Sequence, residues 1–165
     1  MYSSVPQNTQ PIRVMLVDDQ RLVRGGLSML VNSQPDLQVV MEADDGLAAI
    51  DVFDRMVSEG QAPQVILMDV RMPHCDGLEA ARRILERDAQ RAESERAESE
   101  CAEDERVRII MLTTFDIDEY VYSAVRAGAS GFLLKDTPPE QLLEAIRTVH
   151  RGDAVIAPSA TRRLL

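Results

Sequence analysis

Three acidic residues follow two apolar runs and are the residues best placed for chemistry. Asp18 and Asp19 close the run 14–17, and Asp69 closes the run 65–68. If both runs are strands of one parallel sheet, the three carboxylates meet at its C-terminal edge, where open α/β sheets bind their ligands. Carboxylates packed together repel one another unless a cation is bound. The trio therefore predicts a divalent metal site, and Mg²⁺ is the natural candidate because it prefers oxygen ligands.

Two further polar residues are expected at the same edge. Thr113 ends the fourth predicted strand, and Lys135 ends the fifth. A carboxylate nucleophile, Mg²⁺, an ammonium group for phosphate oxygens and a hydroxyl donor are what in-line phosphoryl transfer onto an aspartate requires. Asp69 stands alone at its strand end and is the expected nucleophile, whereas the adjacent Asp18 and Asp19 form a natural metal clamp.

Each of these residues, taken alone, has a simpler structural explanation. An Asp-Asp pair after a strand often caps the next helix. Asp69 alone could be a turn residue, Lys135 a surface charge and Thr113 an ordinary β-branched strand residue. Their joint occurrence at the ends of predicted strands is hard to ascribe to caps and surface charges together, and it favours the phosphoryl site.

The elements that must position these residues alternate along the chain. Apolar runs of strand length alternate with amphipathic segments of helix length, a pattern that favours βαβ units and a parallel sheet. The predicted strands are Ile12 to Val17, Leu37 to Ala43, Val65 to Asp69, Val107 to Thr113 and Ser130 to Lys135. The predicted helices are Arg21 to Asn32, Gly46 to Ser58, Gly77 through Leu85, Asp118 to Ala127 and Pro139 to Arg151.

Composition limits the function classes. The chain has 165 residues, which suits one domain, and 45% are hydrophobic but only 4% aromatic, so an aliphatic core is expected. A net charge of −10 opposes nonspecific binding to nucleic acid or to an anionic membrane. Cys75 and Cys101 form no CxxC pair, so neither a disulfide framework nor a zinc site is indicated. No apolar run reaches membrane-spanning length, and a cytoplasmic location is expected.

Three segments fall outside the β/α pattern. Residues 1–11 read as a short disordered lead-in. Residues 88–105 carry eight acids and two arginines in a crude pentad repeat. A helix built from this acidic insert would be polar all round and could not bury a face, so the insert is either a solvated extension of the third helix or disordered. A partner-binding acidic tract is a further alternative. Residues 153–165 look like the start of a linker.

With these residues in view, the chain resembles the receiver domain of two-component response regulators. The resemblance spans residues 12–152 and is interrupted by the acidic insert. It implies an α/β fold, a flavodoxin-like (βα)₅ three-layer sandwich with a parallel sheet of order 2-1-3-4-5. The motifs that carry it are VDD at Val17 to Asp19, MDVRMP at Met68 to Pro73, DG at Asp76-Gly77, LTT at Leu112 to Thr114 and GFLLK at Gly131 to Lys135.

The resemblance implies a role for each residue of the acidic site. Asp69 would accept phosphate from a phosphohistidine on a sensor histidine kinase. Mg²⁺ would be held by Asp18, Asp19 and Asp69 together with the backbone carbonyl of Arg71. The domain would then be a phosphoacceptor switch that phosphorylates and slowly dephosphorylates itself, and not an enzyme that acts on other substrates.

The same resemblance implies a switch on the neighbouring strands. Thr113 would bond a phosphoryl oxygen, and Lys135 would pair with another. Phe132 stands where the family keeps an aromatic residue that turns inward when the threonine is drawn to the phosphate. An ordinary core ring is the alternative for Phe132, and position alone does not separate the two.

Residues 113–149 further resemble the NarL/FixJ class, whose receivers precede a LuxR-type helix-turn-helix. This similarity implies transcriptional control by a DNA-binding domain of a longer parent protein, with homodimerisation on phosphorylation. Two other functions remain open. An aspartate-nucleophile phosphohydrolase needs a second acid two residues beyond the nucleophile, where this chain has Arg71. A stand-alone receiver would signal by protein contacts alone.

Overall fold

A computed structural model describes residues 10–98, 106–114 and 118–156 of the chain. Six parallel strands form one sheet in the order β2-β1-β3-β4-β5-β6. The strands are β1 Ile12–Val17, β2 Leu37–Ala43, β3 Val65–Asp69, β4 Arg108–Thr113, β5 Gly131–Leu134 and β6 Val155–Ile156. The helices are α1 Arg21–Asn32, α2 Gly46–Ser58, α3 Gly77–Glu98, α4 Asp118–Ala127 and α5 Pro139–His150. The predicted α/β class and strand order are therefore confirmed.

The sheet is covered on both faces, as expected for an all-parallel sheet with continuous apolar strands. Every residue of β3 is buried, so neither face of this central strand contacts solvent. Phe53 and Phe132 are the large buried aromatic residues of the described chain, and the rest of the core is aliphatic. Arg147 of α5 donates hydrogen bonds of 2.8 and 3.1 Å to Asp36 after α1, which ties these two helices on one face. No described helix is long and apolar enough to cross a membrane.

Strand register brings the C-terminal ends of four strands to one edge. Val17 pairs with Met68 across β1 and β3, so Asp18 and Asp69 each follow at the same level. Thr113 pairs with Leu134 across β4 and β5, and Lys135 comes next in the chain. Strand register alone therefore brings these polar residues to the edge of the sheet at which the sequence predicted them.

Two predicted strands need corrected bounds, and one strand was missed. The fourth strand begins at Arg108 instead of Val107, and the fifth begins at Gly131 instead of Ser130. Lys135 does not belong to the fifth strand, which ends at Leu134, although the Lys135 N–H still donates to the Thr113 carbonyl oxygen at 2.8 Å. A sixth strand, Val155–Ile156, pairs with Gly131 and Phe132 and was not predicted. A two-residue strand has too little periodicity to be recognised from sequence, so only its pairing identifies it.

The third helix is longer than predicted, because it continues past Leu85 to Glu98. The first half of the acidic insert is therefore an extension of α3, and residues 99–105 lie outside the described part of the chain. The expectation of a solvated extension does not hold at its first residue, since Asp88 has 0% of its surface exposed. The predictions for residues 1–9 and 157–165 also fall outside the described residues.

Candidate metal and phosphoryl site

The three acids predicted to form a cluster do lie together. Each of Asp18, Asp19 and Asp69 offers a carboxylate oxygen, and these oxygens all lie within 4.8 Å of one another. Asp18 and Asp69 are buried, with 2% and 6% of their surfaces exposed, whereas Asp19 is exposed. The cluster thus has a buried floor and one side open to solvent, which is the access that a phosphoryl donor needs.

Lys135 joins the cluster from the loop after β5. Its Nζ lies 2.7 Å from Asp18 Oδ2 and 3.3 Å from Asp69 Oδ1, and 12% of its side chain is exposed. Burial alone would lower the pKa of Lys135, but the contacts with Asp18 and Asp69 outweigh it and raise the pKa above its usual value. The lysine is therefore a permanent cation at this site.

The surroundings of Asp69 disfavour the ionised form of its carboxyl group. Its pKa is raised from 3.8 to about 6, because burial and the negative charge of Asp18 together outweigh the opposing effect of Lys135. One ammonium group therefore does not fully compensate the acids. A second cation in the cluster would lower the electrostatic free energy of the ionised site.

The donor set fits a small divalent cation. Asp18 Oδ1 accepts a hydrogen bond from the Gln20 N–H at 2.8 Å. Asp18 Oδ2 is buried and, apart from its ionic contact with Lys135, makes no well-directed hydrogen bond within the described residues. This buried carboxylate oxygen can therefore still bind a metal ion. Sites made only of oxygen ligands suit Mg²⁺.

The loop between β3 and α3 is folded tightly against Asp69. Gly77 opens α3, and its N–H donates to the Val70 carbonyl oxygen at 2.8 Å. A Cβ atom at position 77 would lie 1.8 Å from the carbonyl oxygen of Asp69, so only glycine fits there. Asp76 accepts a hydrogen bond from the Glu79 N–H at 2.8 Å and so caps the first turn of α3. The Asp-Gly motif therefore fixes the backbone of the proposed nucleophile.

The remaining predicted site residues lie on the neighbouring strands and loop. Thr113 is the last residue of β4 and is 4% exposed. Phe132 is 1% exposed on β5 and pairs with Met111 of β4. This burial is compatible with both predicted roles of the ring, core residue or switch. Arg71 is exposed, two residues beyond Asp69 in the same loop.

The loop also contains a strained residue. His74 has φ 70°, in the left-handed region that disfavours residues with a Cβ. We expect His74→Gly to be more stable than His74→Ala by about 1 kcal/mol, because both remove the imidazole and only glycine removes the strain. Urea unfolding measures the difference. At His150, which is helical, the alanine variant should be more stable than the glycine variant. The same order of stability at both positions would contradict backbone strain at His74.

The sequence did not identify Arg24 as part of this site. Its guanidinium Nη1 lies 2.7 Å from the main-chain oxygen of Asp18. The feature of the sequence that could have identified Arg24 is its position near the start of α1, where the helix dipole disfavours a cation. A positive residue at such a place needs a compensating contact.

Comparisons with known proteins agree with this fold. A family model for the response regulator receiver domain matches residues 14–147. The transcriptional regulatory protein YxjL of Bacillus subtilis (strain 168) is 40% identical over 96% of this chain and 63% of its own length. The oxygen regulatory protein NreC of Staphylococcus carnosus (strain TM300) is 36% identical over 93% of this chain and 62% of its own length. The chain therefore spans less than two thirds of these relatives.

A solved structure supports the same assignment. The LuxR-family two-component response regulator from Aurantimonas sp. SI85-9A1 superposes with a TM-score of 0.76 and 28% identity, covering 94% of this chain and 96% of that chain. The receiver domain of NarL from Mycobacterium tuberculosis superposes with a TM-score of 0.68 and 29% identity, covering 87% and 98%. The chain belongs to the response regulator receiver domain family, and the solved structures that it resembles include receivers of LuxR-family and NarL regulators.

Proposed function

We propose that Asp69 accepts a phosphoryl group from the phosphohistidine of a sensor histidine kinase, and that this event controls a DNA-binding output domain in a longer parent protein. One observation carries the proposal: a buried strand-end aspartate lies 3.3 Å from a lysine ammonium, beside two further carboxylates. No simple helix cap or surface charge explains the burial of Asp18 and Asp69 beside Lys135.

The chemistry is nucleophilic substitution at phosphorus. A carboxylate oxygen of Asp69 attacks the phosphorus, the P–N bond of the phosphohistidine breaks, and the imidazole leaves with the bonding electron pair. The product is an acyl phosphate on Asp69. Lys135 lies 3.3 Å from the attacking carboxylate and pairs with a phosphoryl oxygen as the negative charge moves outward.

Mg²⁺ would be held by Asp18, Asp19 and Asp69 and the backbone carbonyl of Arg71. When bound, it supplies positive charge that neutralises the phosphoryl oxygens. Asp18 also keeps Lys135 in place through the 2.7 Å contact. The ammonium is thus positioned before the donor arrives, which reduces the reorganisation that phosphoryl transfer requires.

The output follows from the added charge at the sheet edge. The new phosphoryl oxygens attract the hydroxyl of Thr113, which pairs with Leu134 of β5, the strand that also carries Phe132. Movement of Thr113 and Phe132 changes the α4-β5-α5 or the α1-α5 surface and promotes a homodimer. Residues 12–152 are the core of the receiver, with β6 added to its sheet, and 153–165 lead to the output domain. The protein acts in the cytoplasm.

Labelling with a small phosphoryl donor tests the proposal. The protein is incubated with phosphoramidate, with Mg²⁺ or with a chelator, and phosphate bound to the chain is counted. We expect at most one phosphoryl group per chain, only with Mg²⁺, and loss of the label in hydroxylamine, which cleaves acyl phosphates. Many turnovers of a phosphomonoester would instead favour the phosphohydrolase, and absence of any label would refute the proposal.

A further inference from the structure

Arg24 lies on α1 beside the loop that joins β1 to α1. The first turn of this helix carries no acidic residue, and its N-cap residue Gln20 makes no side-chain capping bond. A guanidinium near a helix N-terminus is electrostatically unfavourable. Only 17% of the Arg24 side chain is exposed, so hydration alone does not stabilise the guanidinium charge at this position. Specific contacts must compensate for this position.

Two acceptors hold the guanidinium of Arg24. Nη1 donates to the main-chain oxygen of Asp18 at 2.7 Å. Nε donates to Oε1 of Glu42, on β2, at 3.2 Å. The adjacent residue of β2, Ala43, accepts the Asp18 N–H at 3.1 Å. The end of β2 therefore holds both backbone polar groups of Asp18. Ala43 accepts its N–H, and Glu42 holds Arg24, which donates to its carbonyl oxygen.

The oxygen that Arg24 holds belongs to the peptide unit between Asp18 and Asp19. Peptide units are planar, so a fixed carbonyl oxygen also fixes the N–H and the direction of the Cα of Asp19. Asp19 is the exposed member of the carboxylate cluster. An exposed side chain gains little orientation from packing, and its placement depends largely on its backbone.

We infer that Arg24 is a positioning residue for the metal site: its hydrogen bond to the Asp18 carbonyl orients Asp19 toward the cation. The inference rests on the proposed metal site. Arg24 would not itself be a metal ligand, because a guanidinium has no acceptor atom. Groups that orient metal ligands from outside the coordination sphere have large effects on affinity, commonly about 10-fold or more.

Charge and positioning have opposite consequences at this residue. A positive charge near the carboxylates repels a divalent cation, so an arginine acting by charge alone would weaken metal binding. Glu42 offsets part of that charge. An arginine acting by position strengthens binding in spite of its charge. The sign of the effect of removing Arg24 therefore distinguishes the two.

Calorimetric titration of Mg²⁺ into the purified 165-residue chain is the test. Arg24→Lys keeps the charge but loses the planar group that reaches two acceptors, and Arg24→Gln also removes the charge. We expect both variants to bind Mg²⁺ about 10-fold more weakly than the wild type. Glu42→Gln, at a residue whose side chain is 41% exposed, should fall between the wild type and Arg24→Lys.

Arg147→Lys is the matched control. Arg147 likewise bridges two acceptors, Asp36 and Gln34, with 25% of its side chain exposed, but at the opposite edge of the sheet. Urea unfolding should show that Arg147→Lys and Arg24→Lys both lose stability, whereas only Arg24→Lys loses Mg²⁺ affinity. This comparison separates a general loss of stability from a specific loss of ligand orientation.

Three results would overturn the inference. Tighter Mg²⁺ binding by Arg24→Gln would mean that Arg24 acts by charge alone. Wild-type affinity in both Arg24 variants would mean that the bridge is only structural. Absence of Mg²⁺ binding by the wild type would refute the proposed metal site as well, so failure of the site is distinguishable from failure of the role assigned to Arg24.

Discussion

Asp69→Asn is expected to increase the stability of the metal-free domain at neutral pH by about 1–3 kcal/mol while abolishing phosphoryl labelling. The label is lost because an amide is a poor nucleophile. The gain in stability has a separate cause: asparagine cannot ionise, so it avoids the cost of a buried carboxylate beside Asp18. A residue whose removal stabilises the fold is typical of a site retained for function.

The contribution of Asp69 to the free energy of unfolding should decrease as the pH rises. Burial and the charge of Asp18 raise the pKa of Asp69 from 3.8 to about 6, so the folded chain binds this proton more tightly than the unfolded chain. The associated stabilisation is fully present below about pH 4 and is lost as the pH rises through about 6. Asp69→Asn should not show this loss. The free energy of unfolding in urea, measured across this pH range without metal, gives both curves.

Asp51→Asn is the control, since Asp51 is an exposed acid on α2. The loss of stability that we assign to Asp69 should persist in this variant. Mg²⁺ should stabilise the wild type at neutral pH, because it binds the folded state, and should stabilise Asp69→Asn much less. If Asp69→Asn were no more stable than the wild type at neutral pH, the electrostatic description of the cluster would be wrong.

Asp88→Ala is expected to destabilise the domain by about 2–4 kcal/mol. Asp88 Oδ2 accepts a hydrogen bond of 2.8 Å from the buried N–H of Val107. Its two oxygens also pair with Arg91 at 2.6 Å and with Arg106 at 3.1 Å. Removing the carboxylate leaves a buried donor unpaired and two arginines without this anion. These contacts join the α3 extension to the start of β4, and urea unfolding measures their loss.

Glu95→Ala is the comparison for Asp88→Ala. Glu95 pairs with the same Arg91 at 3.1 Å, but its side chain is 53% exposed. Exposed pairs on one helix contribute about 0.3–0.5 kcal/mol, so Glu95→Ala should have little effect. Equal effects of the two substitutions would show that Asp88 is also only part of a solvated charged surface.

Sequence periodicity was sufficient for most of the fold because the strands are continuous apolar runs. Val65 to Met68 is an example: every residue is apolar and buried, and the acid that follows ends the strand. The β6 pair, Val155 and Ile156, depends on tertiary pairing alone. The burial of Asp88 was not predicted because its partner Arg106 is 18 residues away in sequence, which is beyond the reach of local sequence patterns.

The acidic site was predictable to the extent that it depends on strand ends. Asp18 and Lys135 follow β1 and β5, Asp69 is the last residue of β3, and parallel register places all three at one edge. The contact between Arg24 and the Asp18 carbonyl was not predictable, because a hydrogen bond to a main-chain atom does not depend on the side chain of its partner. Such contacts leave no pairwise signature in one sequence.

Identification of the phosphorylated residue tests the central claim most directly. The chain is labelled with phosphoramidate and Mg²⁺, the acyl phosphate is reduced with borohydride, and the resulting homoserine is located by mass spectrometry. We expect homoserine at position 69 and at no other aspartate. Homoserine at position 18 or 19, or a label that borohydride does not convert, would contradict the assignment of Asp69 as the phosphoacceptor.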